Sequence, residues 1–219
     1  IYHAAAYKHV DLVEKNPLVA IQNNVFGTMN LYDISKKHDV INFTLISSDK
    51  AVNPINIMGA TKRISEMILS NEESKNSKTN YSIVRFGNVL GSSGSVVTLF
   101  RKQLSDGGPL IVRDINLTRY FMTIEEASQL VIQAGSMSTS GDIFLLEMGS
   151  PVKIIDLARK IIELGGMTVK NAENPRGDIE IKITGLVPGE KIHEELYINK
   201  NIKKTIHPKI YRVIEKNIK

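Results

Sequence analysis

The sequence contains no cysteine, which excludes disulfide cross-links and thiolate metal sites and fits a reducing compartment. It holds no run of about 18 apolar residues, so no transmembrane helix is expected within these 219 residues. No secretory leader pattern, internal repeat or low-complexity tract is visible. Nor is there a G-x-G-x-x-G phosphate-binding loop: Gly91, Gly94, Gly107 and Gly108 do not follow that spacing. What is present is a chain that is 42% hydrophobic, enough for a sizeable core in one or two globular domains. The net charge of +5 reads as a lysine-rich solvated surface, with a partly basic cleft for an anionic ligand as the sharper alternative. Lys200, Lys203 and Lys204 have no interleaved aromatics and no helical stripe, so no nucleic-acid site is expected there.

The opening residues, Ile1-Tyr2-His3-Ala4-Ala5-Ala6, read as a buried strand over about 1–6, and such a strand calls for neighbours on both sides. With nothing before them, the expectation is a fragment lacking its N-terminal part. A helix is expected over 17–37, with Asn16 as N-cap, Pro17 at the first helical position, and Leu18, Ile21, Val25, Met29 and Tyr32 on one stripe. A buried parallel strand follows at 43–46, then a loop with Asn53-Pro54, a helix over 57–69, a polar stretch over 72–80 and a strand over 81–86. This β-α-β-α-β rhythm predicts an α/β fold with a doubly wound parallel, Rossmann-like sheet. Beyond Gly87, short strands (110–113, 118–122, 142–147, 179–184) alternate with short helices (96–105, 124–136, 153–164, 189–196), which suggests a smaller mixed α/β lobe. The expected division is residues 1–90 as the C-terminal half of a dinucleotide-binding domain. Residues 91–219 are then mainly a substrate-binding lobe, with some segments returning to the first domain.

Ligands of doubly wound sheets lie beyond the carboxyl ends of the strands. Ser48-Asp49-Lys50 stands at such an end, and Met58 and Lys62 sit four apart on one face of the next helix. A hydroxyl, a carboxylate and two amines converging on one spot would suit proton transfer, because each neighbour shifts the others. The plainer alternative is a loop ion pair between Asp49 and Lys50 beside an unrelated helix. The segment from Gly87 to Ser95 offers backbone amides and hydroxyls to a phosphate ahead of a helix at Val96, or is simply a flexible turn. Asn24, a poor helix former in mid-helix, points to a buried hydrogen bond or else to an exposed polar position.

The stretch from Ser48 to Arg63 (Ser48-Asp49-Lys50-Ala51-Val52-Asn53-Pro54-Ile55-Asn56-Ile57-Met58-Gly59-Ala60-Thr61-Lys62-Arg63) closely resembles the active-site signature of the capsular-polysaccharide type of UDP-N-acetylglucosamine 4,6-dehydratases, in the extended short-chain dehydrogenase/reductase superfamily. The wider superfamily has Ser/Thr and Tyr-x-x-x-Lys, the tyrosine being the usual base. Here Met58 takes the tyrosine position, as in the larger members of this family, and a thioether cannot act as acid or base. The proton of the sugar 4-hydroxyl is then left to Asp49, Ser48 or a water. His3 to Val10, Asn24 to Thr28, Arg85 to Val96, Thr118 to Thr123 and Leu186 to Lys191 are similar to further family segments.

The resemblance implies NAD, in preference to NADP, as cofactor. It places Ala4, Ala5, Ala6, Asn24 and Lys62 at the cofactor, the small alanines allowing close approach. It implies a UDP-sugar substrate bound by Lys8, Asn88, Ser92, Ser93, Ser95, Arg119 and Glu190, with Arg119 as diphosphate clamp and Glu190 at the uridine ribose. For Glu190 the bland alternative is a helix-capping acid. No metal is implied. The reaction is elimination of water across C5–C6 of UDP-N-acetylglucosamine, with Lys50 as base at C5, Asp49 protonating the departing 6-hydroxyl and Ser48 bonded to the C4 oxygen. Without the glycine-rich loop, this chain alone should bind NAD poorly or not at all. The full-length protein is expected to form homo-oligomers in the cytoplasm, with anchoring at the inner membrane face as a variant. The rivals are a nucleotide-sugar 4-epimerase, which normally keeps the tyrosine, and a non-catalytic nucleotide-sugar-binding module.

Overall fold

The computed structural model describes residues 1–71, 74, 77–139, 141–197 and 201–215. Glu72 and Glu73, in the expected polar stretch, and Lys200 lie outside the described residues. In chain order the first elements are β1 (Tyr2–His3), α1 (Val10–Lys15), α2 (Pro17–Ile21), α3 (Gly27–Lys37), β2 (Asn42–Ile46), α4 (Ile57–Leu69) and β3 (Asn80–Arg85). There follow β4 (Asn88–Val89), α5 (Val96–Ser105), β5 (Leu110–Val112), β6 (Thr118–Arg119), β7 (Phe121–Met122), α6 (Ile124–Ser136) and β8 (Asp142–Leu146). The last are β9 (Val152–Lys153), α7 (Ile154–Leu164), β10 (Val169–Lys170), β11 (Ile179–Ile183), β12 (Ile202–Lys204) and β13 (Ile210–Val213). They form two compact units: Ile1–Gly87 with Glu125–Glu147 and Glu195–Lys219, and Asn88–Ile124 with Met148–Glu194.

The first unit is built on a six-stranded sheet of order β1-β2-β3-β8-β13-β12. The first four strands are mutually parallel; β13 and β12 add antiparallel. Alternation along the strands sorts the two faces. Phe43, Leu45, Tyr81, Ile83, Ile143 and Leu145 pack with Tyr32 of α3 and Leu69 of α4. On the opposite face Thr44 meets α6, which comes so close at Gly135 that a side chain there would run into the Thr44 hydroxyl. Helices on both faces of a parallel sheet make this a doubly wound α/β fold, with an antiparallel edge the pattern reading did not foresee. The second unit packs Phe100 of α5 and Ile154, Ala158 and Ile162 of α7 on Leu110, Val112 and Ile179 of β5 and β11.

Local departures from the expected elements have local causes. The first strand pairs only at Tyr2 and His3, not over 1–6, because Ala6 N–H turns back onto Ala4 O at 3.0 Å. The helix expected over 17–37 carries a π-helical turn, Gln22–Phe26, in its middle. Asn16 does not cap that helix with its side chain; its Nδ2 donates instead to Leu12 O at 2.9 Å, closing α1. No helix forms over 189–196. The carbonyl of Ile192 is taken by Thr118 N–H at 3.0 Å and by Arg119 Nη1 at 3.2 Å, so the segment is tied to β6 rather than coiled on itself. Lys203 and Lys204 lie exposed on β12, a strand rather than an irregular surface run.

Candidate active site

In the first unit, β2 ends at Ile46 and the chain turns while staying clipped to β3. Ser47 N–H donates to Val84 O at 2.8 Å and Asp49 N–H to Phe86 O at 3.1 Å. Ser48 caps the 3₁₀ turn Asp49–Ala51, its Oγ accepting from Lys50 N–H at 3.3 Å. The same hydroxyl donates to Asp49 Oδ1 at 2.9 Å, and Lys50 Nζ donates to that oxygen at 3.0 Å. Asp49 is wholly buried, whereas the Lys50 side chain is 17% exposed. The second carboxylate oxygen, Asp49 Oδ2, has no hydrogen-bond partner among the described residues. A buried polar atom left unbonded is uncommon and invites a functional account.

Helix α4 lies directly against this turn. Asn56 caps it, with Oδ1 accepting from Gly59 N–H at 2.7 Å, and Glu14 of α1 accepts from Ile57 N–H at 2.6 Å. Gly59 is what permits the approach, because a Cβ there would overlap the carbonyl of Lys50. Lys62 is buried and donates to Ile46 O at 2.8 Å, two residues before Ser48. Burial pulls its amine from 10.5 down to about 8, against an upward pull from the Glu66 charge. Burial, and then the Lys62 charge, also hold His3 below its ordinary value. Met58 points elsewhere: it is buried in an apolar cluster with Val13 of α1 and Ala20 of α2.

The depressed Lys62 amine has a stability consequence. Below about 8 it is charged both folded and unfolded, so the cost of burying the charge is carried in full. Between about 8 and 10.5 the unfolded chain binds more protons, so stability rises with pH. The slope from this one group is at most about 1.4 kcal/mol per pH unit. Lys62→Met is expected to remove that rise, read as the difference between the two proteins in unfolding free energy from pH 7 to 10. Parallel curves would refute a buried cation at Lys62.

Asn24 sits in the π-helical turn and is buried. Its Oδ1 accepts from Tyr7 N–H at 2.8 Å, and its Nδ2 donates to Tyr7 O and to Thr61 Oγ1, both at 3.0 Å. It therefore fixes the backbone between Ala6 and Lys8. A π-turn shifts the side-chain register of a helix, a device often found beside functional sites. Ala4, Ala5 and Lys8 are exposed and Ala6 half-buried just beyond β1.

In the second unit, Asn88 opens β4, its N–H donating to Tyr120 O at 3.0 Å. The loop after it needs glycine at Gly91 and Gly94, where φ is 73° and 66°. Ser92 O accepts from Ser95 N–H at 2.9 Å, Ser93 is exposed, and Ser95 caps α5 through Thr98 N–H at 3.5 Å. Arg119 is buried. Its guanidinium donates to Thr118 O at 2.7 Å and to Glu190 Oε1 at 3.4 Å, and pairs with Glu194 Oε1 at 3.8 Å. A phosphate reaching Arg119 would meet two carboxylates already there. Glu190 lies outside any helix, so the helix-capping alternative falls away.

Pattern reading missed the acid behind the first-unit site. Glu66 of α4 and Arg85 of β3 are fully buried and bidentate, at 2.7 and 2.6 Å. Glu66 Oε1 accepts from Ser47 Oγ at 2.6 Å. Arg63 and Glu215 complete the network. The available signal was a glutamate four residues after Lys62 on the buried face of α4. Among the described residues no cluster of His, Asp and Glu could hold a metal ion, and no helix is long and apolar enough to cross a membrane.

The comparisons with known proteins agree on the family, and the relatives include both 4,6-dehydratases and, at 33% identity over 93% of this chain and 57% of that protein, a UDP-glucose 4-epimerase of Rickettsia rickettsii. Residues 1–215 match the family described as "Polysaccharide biosynthesis protein". The chain is 54% identical to the capsular polysaccharide biosynthesis protein CapD of Staphylococcus aureus over 97% of its length and 34% of that protein's. It is 33% identical to a UDP-N-acetylglucosamine 4,6-dehydratase (inverting) of Campylobacter jejuni, over its whole length and 62% of that protein. Among solved structures it matches Pen from Bacillus thuringiensis with a TM-score of 0.86 and 33% identity, covering 97% of this chain and 64% of that one. The chain thus spans between about a third and two-thirds of the length of these proteins. It has the Rossmann fold, and it belongs to the polysaccharide biosynthesis protein family of the extended short-chain dehydrogenase/reductase superfamily.

Proposed function

We propose that the chain carries the catalytic residues of an NAD-dependent dehydratase that converts UDP-N-acetylglucosamine to its 4-keto-6-deoxy derivative. The observation that carries this reading is the Ser48–Asp49–Lys50 contact, in which a hydroxyl and an amine share one oxygen of a buried carboxylate. A 4-epimerase has no use for such an acid–base pair, and Met58 in the apolar cluster is no substitute for its tyrosine.

The residues fit NAD on its nicotinamide side. Ala4 and Ala5 leave an exposed backbone edge without bulk, and Lys62 would hold the nicotinamide ribose. When bound there, NAD would supply hydride acceptance at C4 of the sugar and hydride return at C6. Asp49 is too buried to meet the sugar at its surface, so its proton passes through the half-buried Ser48 hydroxyl bonded to it. Ser48 takes the 4-hydroxyl proton and hands its own to Asp49. The Lys50 amine removes the C5 proton. Asp49 then returns its proton, again through Ser48, to the 6-hydroxyl, which departs as water. Lys50 finally gives its proton back to C5, so the proton lost from O4 leaves with O6 and both side chains are restored. The second unit binds the nucleotide, with Asn88, Ser92, Ser93 and Ser95 along the loop into α5, Arg119 at the diphosphate and Glu190 at the ribose. Lys8, exposed just beyond β1, is a further proposed substrate-binding residue.

The test is formation of a keto sugar from UDP-N-acetylglucosamine and NAD by the full-length protein, followed by NMR. Lys50→Ala is expected to lower the rate by about 10²–10⁴-fold in a protein that still folds, at a reduced melting temperature because buried Asp49 loses its amine partner. Normal turnover in that variant would sink the assignment.

A further inference from the structure

We propose that Glu66 is a positioning residue: through Ser47 it holds the loop carrying Ser48, Asp49 and Lys50 in register with Lys62, and Arg85 is its buried counter-charge. The proposal rests on the catalytic reading of that loop given above.

The geometry is a two-point grip. Lys62 and Glu66 lie one turn apart on α4 and are both buried. Lys62 Nζ holds Ile46 O at 2.8 Å, and Glu66 Oε1 holds the hydroxyl of the very next residue, Ser47, at 2.6 Å. Consecutive residues at the end of β2 are therefore gripped by consecutive turns of one helix. Arg85 braces the other side. It stands between Val84 and Phe86, whose carbonyls accept from Ser47 N–H and Asp49 N–H, while its own side chain forks onto Glu66. The loop is thus bounded by the two backbone clips of β3 on one flank and the Glu66 carboxylate on the other.

A buried Arg–Glu pair can often be replaced by apolar side chains at little cost in stability, so stability alone does not explain one here. An apolar pair could neither accept the Ser47 hydroxyl nor place negative charge beside Lys62. The charged groups on the elements packed against α4 are Arg63 and Glu66 on that helix, Asp49 and Lys50 on the turn, Asp11, Glu14 and Lys15 on α1, Asp33, Lys36 and Lys37 on α3 and Arg85 on β3, and His3 on β1 feels the Lys62 charge. Glu66 is the one whose charge raises the Lys62 amine, against the burial that lowers it.

Three variants of the full-length protein test this: Ser47→Ala, Ser47→Thr and Glu66→Gln. Ser47→Ala removes one hydroxyl and leaves the ion pairs untouched. It is expected to keep its melting temperature within a few degrees and its KM, to lower kcat by about ten- to a hundredfold, and to shift the backbone amide resonances of residues 48–50. Ser47→Thr, which retains the hydroxyl, restores kcat. In Glu66→Gln the ε-carbon resonance of Lys62 titrates at a lower pH than in the parent, and the alkaline limb of kcat moves down with it. An unchanged kcat in Ser47→Ala, or a Lys62 titration unmoved in Glu66→Gln, overturns the proposal. If Glu66→Gln does not fold, the two Ser47 variants decide. If the parent forms no keto sugar, the dehydratase reading fails by itself. The amide shifts in Ser47→Ala then judge the grip: unmoved resonances at 48–50 overturn it, and displaced ones sustain it.

Discussion

Replacing Arg85 with methionine is expected to lower the free energy of unfolding by about 3–5 kcal/mol, because it strands buried carboxylates rather than removing a pair. Arg85 is without solvent exposure, and so is Glu66, which it binds through two nitrogens; a third nitrogen binds Glu215 at 2.6 Å. Burial alone would weaken the Arg85 charge, but the bonds to Glu66 and Glu215 more than offset it and hold the proton harder than usual. For Glu215, burial pushes the carboxyl up, and Arg85 and Arg63 outweigh it and hold it below 4.5. Its contribution is therefore full above about 4.5 and fades as pH falls through the depressed value, so the parent should resist mild acid. Arg85→Met should lose part of that resistance. Urea unfolding at pH 7 and pH 4 measures both effects. Arg85→Met combined with Glu66→Leu should lose less than the two single changes summed, since each single change leaves the other's charge unpaired. A single-variant loss below about 1 kcal/mol would mean that water reaches Glu66 and that the network is not dry.

The outcome depends on features that pattern reading could reach only partly. Helix α4 was legible over its whole length, 57–69, and Ser48-Asp49-Lys50 stands at a strand end where ligands collect. The same spacing rule puts Met58 and Lys62 on one face, yet the two side chains part company. Met58 goes to Val13 and Ala20, while Lys62 goes back to Ile46. Periodicity gives a face and not a partner. It could not show that Glu66, one turn on, would be buried, because a lone glutamate on a helix is ordinarily solvated. Only the register of β2 against β3, which brings Ser47 to Val84 and Arg85 alongside, supplies the partners.

The misread segments share a cause. Helix α1 is six residues long, too short for a periodic signal, and its neighbour Asn16 looks like a cap for α2 while its side chain serves α1. Residues 189–196 carry acids and apolar residues at helical spacing. There the decisive bonds come from Thr118 and Arg119, some seventy positions away in sequence. The antiparallel strands β12 and β13 are short, and the lysines of β12 hide the alternation. Local propensity is a weak prior wherever a distant side chain claims the backbone carbonyls.

The sharpest functional outcome concerns Asp49. Asp49→Asn is expected to cut keto-sugar formation by about 10²–10⁴-fold with little effect on folding. The amide oxygen can still accept from Ser48 Oγ and Lys50 Nζ, as Oδ1 does at 2.9 and 3.0 Å, so the turn keeps its shape. What is lost is a site that can take a proton from Ser48 and return it, and the amide places an NH₂ group where Oδ2 now has no partner. The two halves of the reaction then separate. In the proposed mechanism removal of the C5 proton is assigned to Lys50, so Asp49→Asn should still exchange that proton for deuterium when the keto-sugar product is incubated in heavy water. Lys50→Ala should not exchange it, whatever remains of its other functions. Departure of the 6-hydroxyl is assigned in the same proposal to Asp49 acting through Ser48, so Ser48→Ala should resemble Asp49→Asn in both assays. If Asp49→Asn loses exchange as well, the carboxylate serves mainly to place Lys50, and the acid lies elsewhere. If it keeps normal turnover, the buried carboxylate is an ion-pair partner alone, and the proton for the leaving water comes from solvent.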